Sequence, residues 1–127
     1  MQTEIELDGE IYFIEDGVLD LSCMRVSDLS PLQGMPLVWL YLGNTQVTDL
    51  SPLKDMPLKG LYLGNTQVTD LSPLKDMPLK GLDLSGTKVV DLSPLRDMPM
   101  TGLDLSGTPA AKQPLPEWLD KGIVVGL

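Results

Sequence analysis

The sequence predicts an α/β solenoid: a stack of short parallel strands carrying a one-turn helix on each coil. Three observations predict it. The segment DLSPL occurs at Asp28, Asp49, Asp70 and Asp91, each copy 21 positions after the last. The 21 residues from Asp28 differ from those at Asp49 only at Gln33, Gly34, Val38 and Trp39. Within each period two leucines flank one variable residue, the spacing of a strand with one face buried. A period this short marks units that bury their apolar side only against neighbours. A lone coil orders too many residues for the few apolar groups it hides, so stacking is obligatory.

Ahead of the array, residues 3–15 alternate with period two on either side of Asp8-Gly9, a pair that favours a two-residue hairpin turn. Strands are expected at 4–7 and 10–14, forming an acidic cap over the first coil, with Ile5, Leu7, Ile11 and Phe13 too apolar to be left in water. The domain is expected to span 1–127, with the cap at 1–17, repeats at 18–108 and a C-terminal cap at 109–127.

Sliding back 21 positions aligns Val18 to Leu21 with Trp39 to Leu42, Gly60 to Leu63, Gly81 to Leu84 and Gly102 to Leu105. Each is an xLxL strand whose leucines point inward. A Gly/Asn/Ser bend follows, then a Thr, an inward Val and the Asp. Ser30, Ser51, Ser72 and Ser93 precede Pro and Leu, which suits a helix start with Ser as N-cap and Pro in the first turn. The Met-Pro pairs at Met35, Met56, Met77 and Met98 end that turn, because Pro disfavours helix in the preceding residue. In one full unit the inward set is Leu58, Leu61, Leu63, Val68, Leu71, Leu74 and Met77. After Thr108 the pattern lapses. Pro116 to Leu119 reads as a helical turn with Leu115, Trp118 and Leu119 on the last coil, Gly122 just past its end, and residues 123–126 as a final strand.

Composition sets bounds on function. Hydrophobic residues make up 43% of the chain but aromatics only 5%, so the core is aliphatic. No apolar run approaches the roughly 20 residues that span a bilayer, and residues 1–13 show no signal-peptide pattern, so a cytoplasmic location is expected. Cys23 is the sole cysteine and histidine is absent, which excludes an intrachain disulfide and removes the commonest general base and metal ligand. The net charge of −9 argues against nucleic acid and anionic membrane as partners. Most of the acids fall where they serve solubility or turn geometry, so net charge alone gives little support to a basic partner. No phosphate-cradling loop, metal-ligand cluster or nucleophile beside a base occurs. The expectation is a non-catalytic chain without cofactor.

The pattern LxxLxLxxTxVxDLSPLxxMP resembles the leucine-rich repeat in its short bacterial, internalin-like form. In Leu58 to Val68 the family's asparagine position holds Thr66, and Thr45, Thr87 and Thr108 are its equivalents, with Met24 in the first coil. The resemblance covers about residues 18–108 and implies a right-handed leucine-rich-repeat solenoid with a concave parallel sheet. It departs from the family in a period of 21 rather than 22, in Thr for Asn, and in lacking a helical N-terminal cap. A Thr hydroxyl is expected to bond the next coil's backbone, giving a weaker ladder than Asn.

The resemblance further implies that partners meet the concave face, through residues between the leucines. That middle row reads Asp20, Tyr41, Tyr62, Asp83, Asp104; beside it run Val18, Trp39, Gly60, Gly81, Gly102, and then Gly17, Val38, Lys59, Lys80, Thr101. Trp39, Tyr41 and Tyr62 fall on neighbouring strands roughly 4.8 Å apart, and Trp and Tyr are common interface anchors. The expected site is a protein- or peptide-binding patch of Trp39, Tyr41 and Tyr62, with Lys59, Lys80, Asp20, Asp83 and Asp104 around it. The alternative for the aromatics is mutual shielding without a partner. For the Asp28, Asp49, Asp70, Asp91 column, turn hydrogen bonds are the ordinary reading and a chain of Ca²⁺ sites the sharper one. A second reading of the whole chain is a structural, self-assembling unit that joins copies edge to edge as a homo-oligomer.

Overall fold

The structure, a computed structural model, describes residues 2–127. Its strands form a single sheet in chain order: β1 (Gln2–Leu7), β2 (Glu10–Glu15), β3 (Val18–Asp20), β4 (Trp39–Tyr41), β5 (Gly60–Tyr62), β6 (Gly81–Asp83), β7 (Gly102–Asp104) and β8 (Val124–Val125). β1 and β2 make the expected antiparallel hairpin, β2 meets β3 through the Glu15–Val18 pair, and β3 to β8 run parallel. Sequence and space share one register: Val18 lies beside Trp39, Trp39 beside Gly60, and Tyr41 beside Tyr62. The ladder runs past each three-residue strand, since the Leu21, Leu42, Leu63 and Leu84 N–H groups donate to the next coil's Tyr41, Tyr62, Asp83 and Asp104 carbonyls.

Inside the stack lies an aliphatic column. All seven inward positions of the unit Leu58 to Met77 are buried, with Met56 and Leu79 continuing it. On the opposite wall each coil makes a one-turn 3₁₀ segment, at Ser30–Leu32, Ser51–Leu53, Ser72–Leu74 and Ser93–Leu95. The serines do not cap these turns as expected. Each is the first residue inside, the position before it is leucine, and no side-chain cap bond forms there. The aspartate two residues upstream takes that role: its Oδ1 accepts the Ser N–H at 2.9 Å in all four coils. An Asp carboxylate reaches the N–H two residues on without straining the backbone.

The threonine ladder is also corrected. Thr45, Thr66, Thr87 and Thr108 are buried, and each hydroxyl donates to the carbonyl three residues back in its own coil, at 2.6–2.8 Å. The contacts between coils at this level are backbone ones: Cys23, Asn44, Asn65 and Gly86 N–H groups donate to Gly43, Gly64, Ser85 and Ser106 carbonyls. A three-atom hydroxyl side chain closes its own bend before it can span to the next coil.

At the hairpin, Ile5, Leu7 and Ile14 enter the core, but Ile11 and Phe13 are 59% and 52% exposed. Strand β2 is apolar on both faces (Ile11, Phe13 against Tyr12, Ile14), and only one face can be inward. At the other end, residues 116–119 close a single turn through the Leu119 N–H and the Pro116 carbonyl. Helical hydrogen bonding falls instead at Ala110–Lys112 and Lys121–Ile123. Gly122 therefore sits within a turn, its N–H held by Asp120 Oδ1. Leu119 is buried and Trp118 half-buried against the core. The last strand is shorter than expected because Gly126 turns the chain at φ 94°.

Candidate functional site

Three aromatics meet on the open strand face because the register delivers them there. Tyr41 and Tyr62 occupy the middle of β4 and β5, where a side chain between two inward leucines has only the outer face to enter. Their rings stack with centroids 4.6 Å apart and planes 7° from parallel. Trp39 lies one pleat away and leans toward β5, covering the buried Gly60. A methyl group at Gly60 would overlap Trp39 Cε3 and Cζ3, so the missing side chain at Gly60 is what lets the indole lie flat. Gly60 is a site residue that residue identity alone did not reveal. The signal was available in its row, where Trp39 is followed by glycine in the next coil.

Burial, then the neighbouring Tyr41 and the Asp83 carboxylate, push the Tyr62 phenol above its ordinary pKa. Tyr62 therefore stays neutral at physiological pH, and the two stacked rings present apolar faces with hydroxyl tips. Beyond Tyr62 the face drops into a trough of about 310 Å³, floored by Gly81 and Gly102, rimmed by Asp83 and Asp104, and reaching Val125. Asp83 and Asp104 are direct neighbours across β6 and β7. Each spends Oδ1 on the N–H of Ser85 or Ser106 at 2.9 Å, as Asp20 does on Ser22, and the second oxygen stays on the face.

This explains why the coils come in two types, one with Asp20, Asp83 or Asp104 and one with Tyr41 or Tyr62 in the middle. Where the middle residue is Asp, Ser follows two positions on to supply the bond; where it is Tyr, Gly43 or Gly64 stands there instead. Both types need one residue at positive φ in the bend, and it is Asn44 (58°), Asn65 (58°), Gly86 (69°), Gly107 (73°) or, in the first coil, Cys23 (64°). Lys59 and Lys80 are exposed at the strand entrances, where their N–H groups continue the inter-coil ladder. The structure thus brings Trp39, Tyr41 and Tyr62 together and places Asp83 beside Tyr62, with Asp104 one strand further on. Asp20 neighbours Tyr41, and Lys59 and Lys80 border the patch.

The convex aspartates form a second column. Each of Asp28, Asp49, Asp70 and Asp91 is held below the usual carboxylate range, first by the Ser N–H it accepts and then by the Ser hydroxyl. Their mutual repulsion acts in the opposite sense and is weaker. The turn reading accounts for the column.

No protein-family model and no curated protein matches the sequence. Solved structures do. An internalin (inlF) from Listeria monocytogenes is 31% identical, with a TM-score of 0.65 over 68% of this chain and 27% of that one. An internalin C2 from the same organism is 35% identical, with a TM-score of 0.66 over 72% of this chain and 42% of that one. The chain thus spans less than half the length of either neighbour. Shared coil geometry, the in-register parallel sheet and these likenesses lead to one conclusion: the chain is an internalin-like leucine-rich-repeat protein.

Proposed function

We propose that the chain is a non-catalytic protein- or peptide-binding module that engages its partner on the concave strand face. The observation that carries this reading is the Tyr41–Tyr62 stack beside a Trp39 laid over Gly60. Three aromatics in a chain with six are concentrated on two strands of the open face, where rigid, amphipathic rings give contact area at small entropic cost. Trp39, Tyr41 and Tyr62 form the main contact. Asp20, Asp83 and Asp104, each with one oxygen committed to its own bend, orient polar groups of the partner, and Lys59 and Lys80 border the site. No cofactor is needed for recognition by shape and aromatic contact.

The test is a binding isotherm for a purified partner. Alanine at Trp39 or Tyr62 should weaken affinity by about thirtyfold or more, the size expected of an interface anchor at ~2 kcal/mol. Unchanged affinity in both variants would remove the site assignment. A second reading, assembly of copies through the outer edge of β8, is favoured by the exposed Val125 on that last strand. Light scattering separates it, since a monomer at micromolar concentration excludes it.

A further inference from the structure

The chain's charge is distributed very unevenly. Residues 1–53 hold nine of the 18 acidic residues and one of the nine basic ones, Arg25, so this stretch carries −8 of the net −9. The same stretch carries Trp39 and Tyr41 and the hairpin with its two solvent-facing apolar residues. Those residues are interleaved with carboxylates by the strand register: Glu4 lies opposite Phe13 and Glu6 opposite Ile11. Among the described residues no cation pairs with Glu4, Glu6 or Glu15. The face is also continuous with the platform. Glu15 pairs with Val18, Val18 with Trp39, and Trp39 with Gly60, one unbroken cross-strand row, and Val18 is itself exposed.

We propose that the outer face of the β1–β2 hairpin docks a lysine- or arginine-rich segment of the partner, extending the aromatic platform through Val18 to Phe13 and Ile11. The proposal rests on the strand-face reading for its class of partner and adds that partner's chemistry. Lys and Arg side chains have an apolar stem and a charged head. Laid across this face, the stems cover Ile11 and Phe13 while the heads reach Glu4, Glu6 and Glu15. An acidic segment meets the repulsion of Glu4, Glu6 and Glu15 there, with Arg25 beside Ile11 the one basic residue of this stretch, and a second copy of the chain would set carboxylates against carboxylates. A neutral apolar segment would leave the carboxylates desolvated without a partner, at a cost.

A short synthetic peptide alternating lysine and leucine is the probe, titrated at about 0.15 M salt where unspecific attraction is screened. Lysine–serine and glutamate–leucine peptides are its controls. The lysine–leucine peptide is expected to bind several-fold tighter than either control, with amide shifts centred on Ile11 and Phe13 and spreading to Trp39. Ile11→Ser/Phe13→Ser should weaken it about tenfold, the loss of two modest apolar contacts. Glu4→Gln/Glu6→Gln, which leaves every apolar contact in place, should weaken it several-fold and guards against misfolding of the serine variant. Equal binding of the lysine–serine peptide, equal binding of the glutamate–leucine peptide, or indifference to both hairpin variants overturns the proposal. So does hairpin-dependent dimerisation in light scattering. Loss at Trp39→Ala with none at the hairpin sinks this inference and leaves the platform reading standing. Loss at the hairpin with none at Trp39→Ala or Tyr62→Ala does the reverse.

Discussion

Alanine at the three glycines Gly60, Gly81 and Gly102 is one chemical change at one strand position in three successive coils. The structure gives it three different outcomes. At Gly60 the new methyl overlaps the Trp39 indole, a rigid ring that cannot give way at its near edge. At Gly81 it meets the Tyr62 hydroxyl at 3.6 Å, an ordinary contact, and at Gly102 nothing lies within 4 Å. None of the three has positive φ, so alanine brings no backbone strain. Replacing glycine in a strand gains about 0.5–1 kcal/mol from lost unfolded-state freedom. Overpacking costs about 1–3 kcal/mol. Gly102→Ala should therefore stabilise by about 0.5–1 kcal/mol, with Gly81→Ala close behind. Gly60→Ala should destabilise by about 1–2 kcal/mol. Urea unfolding supplies the energies, and near-UV circular dichroism and Trp fluorescence should change for Gly60→Ala alone. Three equal stability changes, or an unaltered indole signal in Gly60→Ala, would refute the packing of Trp39 on Gly60.

Other expectations follow from single features. Cys23 holds φ 64°, a conformation its β-carbon opposes and which later coils give to Asn or Gly; Cys23→Asn or Cys23→Gly should raise stability by about 0.5–1 kcal/mol in urea unfolding. Thr66→Val keeps shape but removes the hydroxyl that donates to the Leu63 carbonyl at 2.8 Å, and should cost about 0.5–1.5 kcal/mol in the same assay. The lowered pKa values of Asp28, Asp49, Asp70 and Asp91 mean that their ionised form favours the folded state. That contribution is complete above the ordinary carboxylate value of 3.8 and is lost as pH falls through the lower folded value. The melting temperature should drop below that point, and converting all four to Asn, which keeps the acceptor but not the titration, should flatten the slope.

The fold was legible because the repeat turns one local pattern into a lattice. A 21-residue period fixes which residues become neighbours, so the placement of Tyr41 beside Tyr62 and the burial of Leu61 and Leu63 followed from counting. Features decided within a coil by a few ångströms were not legible. A Thr hydroxyl at that position can serve its own bend or the next coil, and residue identity is the same either way. Ser-Pro carries a strong capping preference, yet the turn starts one residue earlier: Asp28 takes the Ser30 N–H, and the Leu32 and Gln33 N–H groups a Ser cap would accept go to backbone carbonyls. Strand β2 offered two apolar faces, so alternation alone could not say that Ile11 and Phe13 would be the ones in water. Outside the repeat, at residues 109–127, no second copy existed to fix the register, and the turns there settled at 110–112 and 121–123. In the site, the aromatics announced themselves by type, whereas Gly60 matters through an absence that only geometry exposes.

The central claim is that in-register coils gather Trp39, Tyr41 and Tyr62 into one platform on the open face. Nuclear Overhauser contacts in solution test it most directly. Strong cross-peaks are predicted between the Tyr41 and Tyr62 ring protons and between the Trp39 Cε3 and Cζ3 protons and the Gly60 α-protons. Absence of both sets in a folded sample would contradict the account.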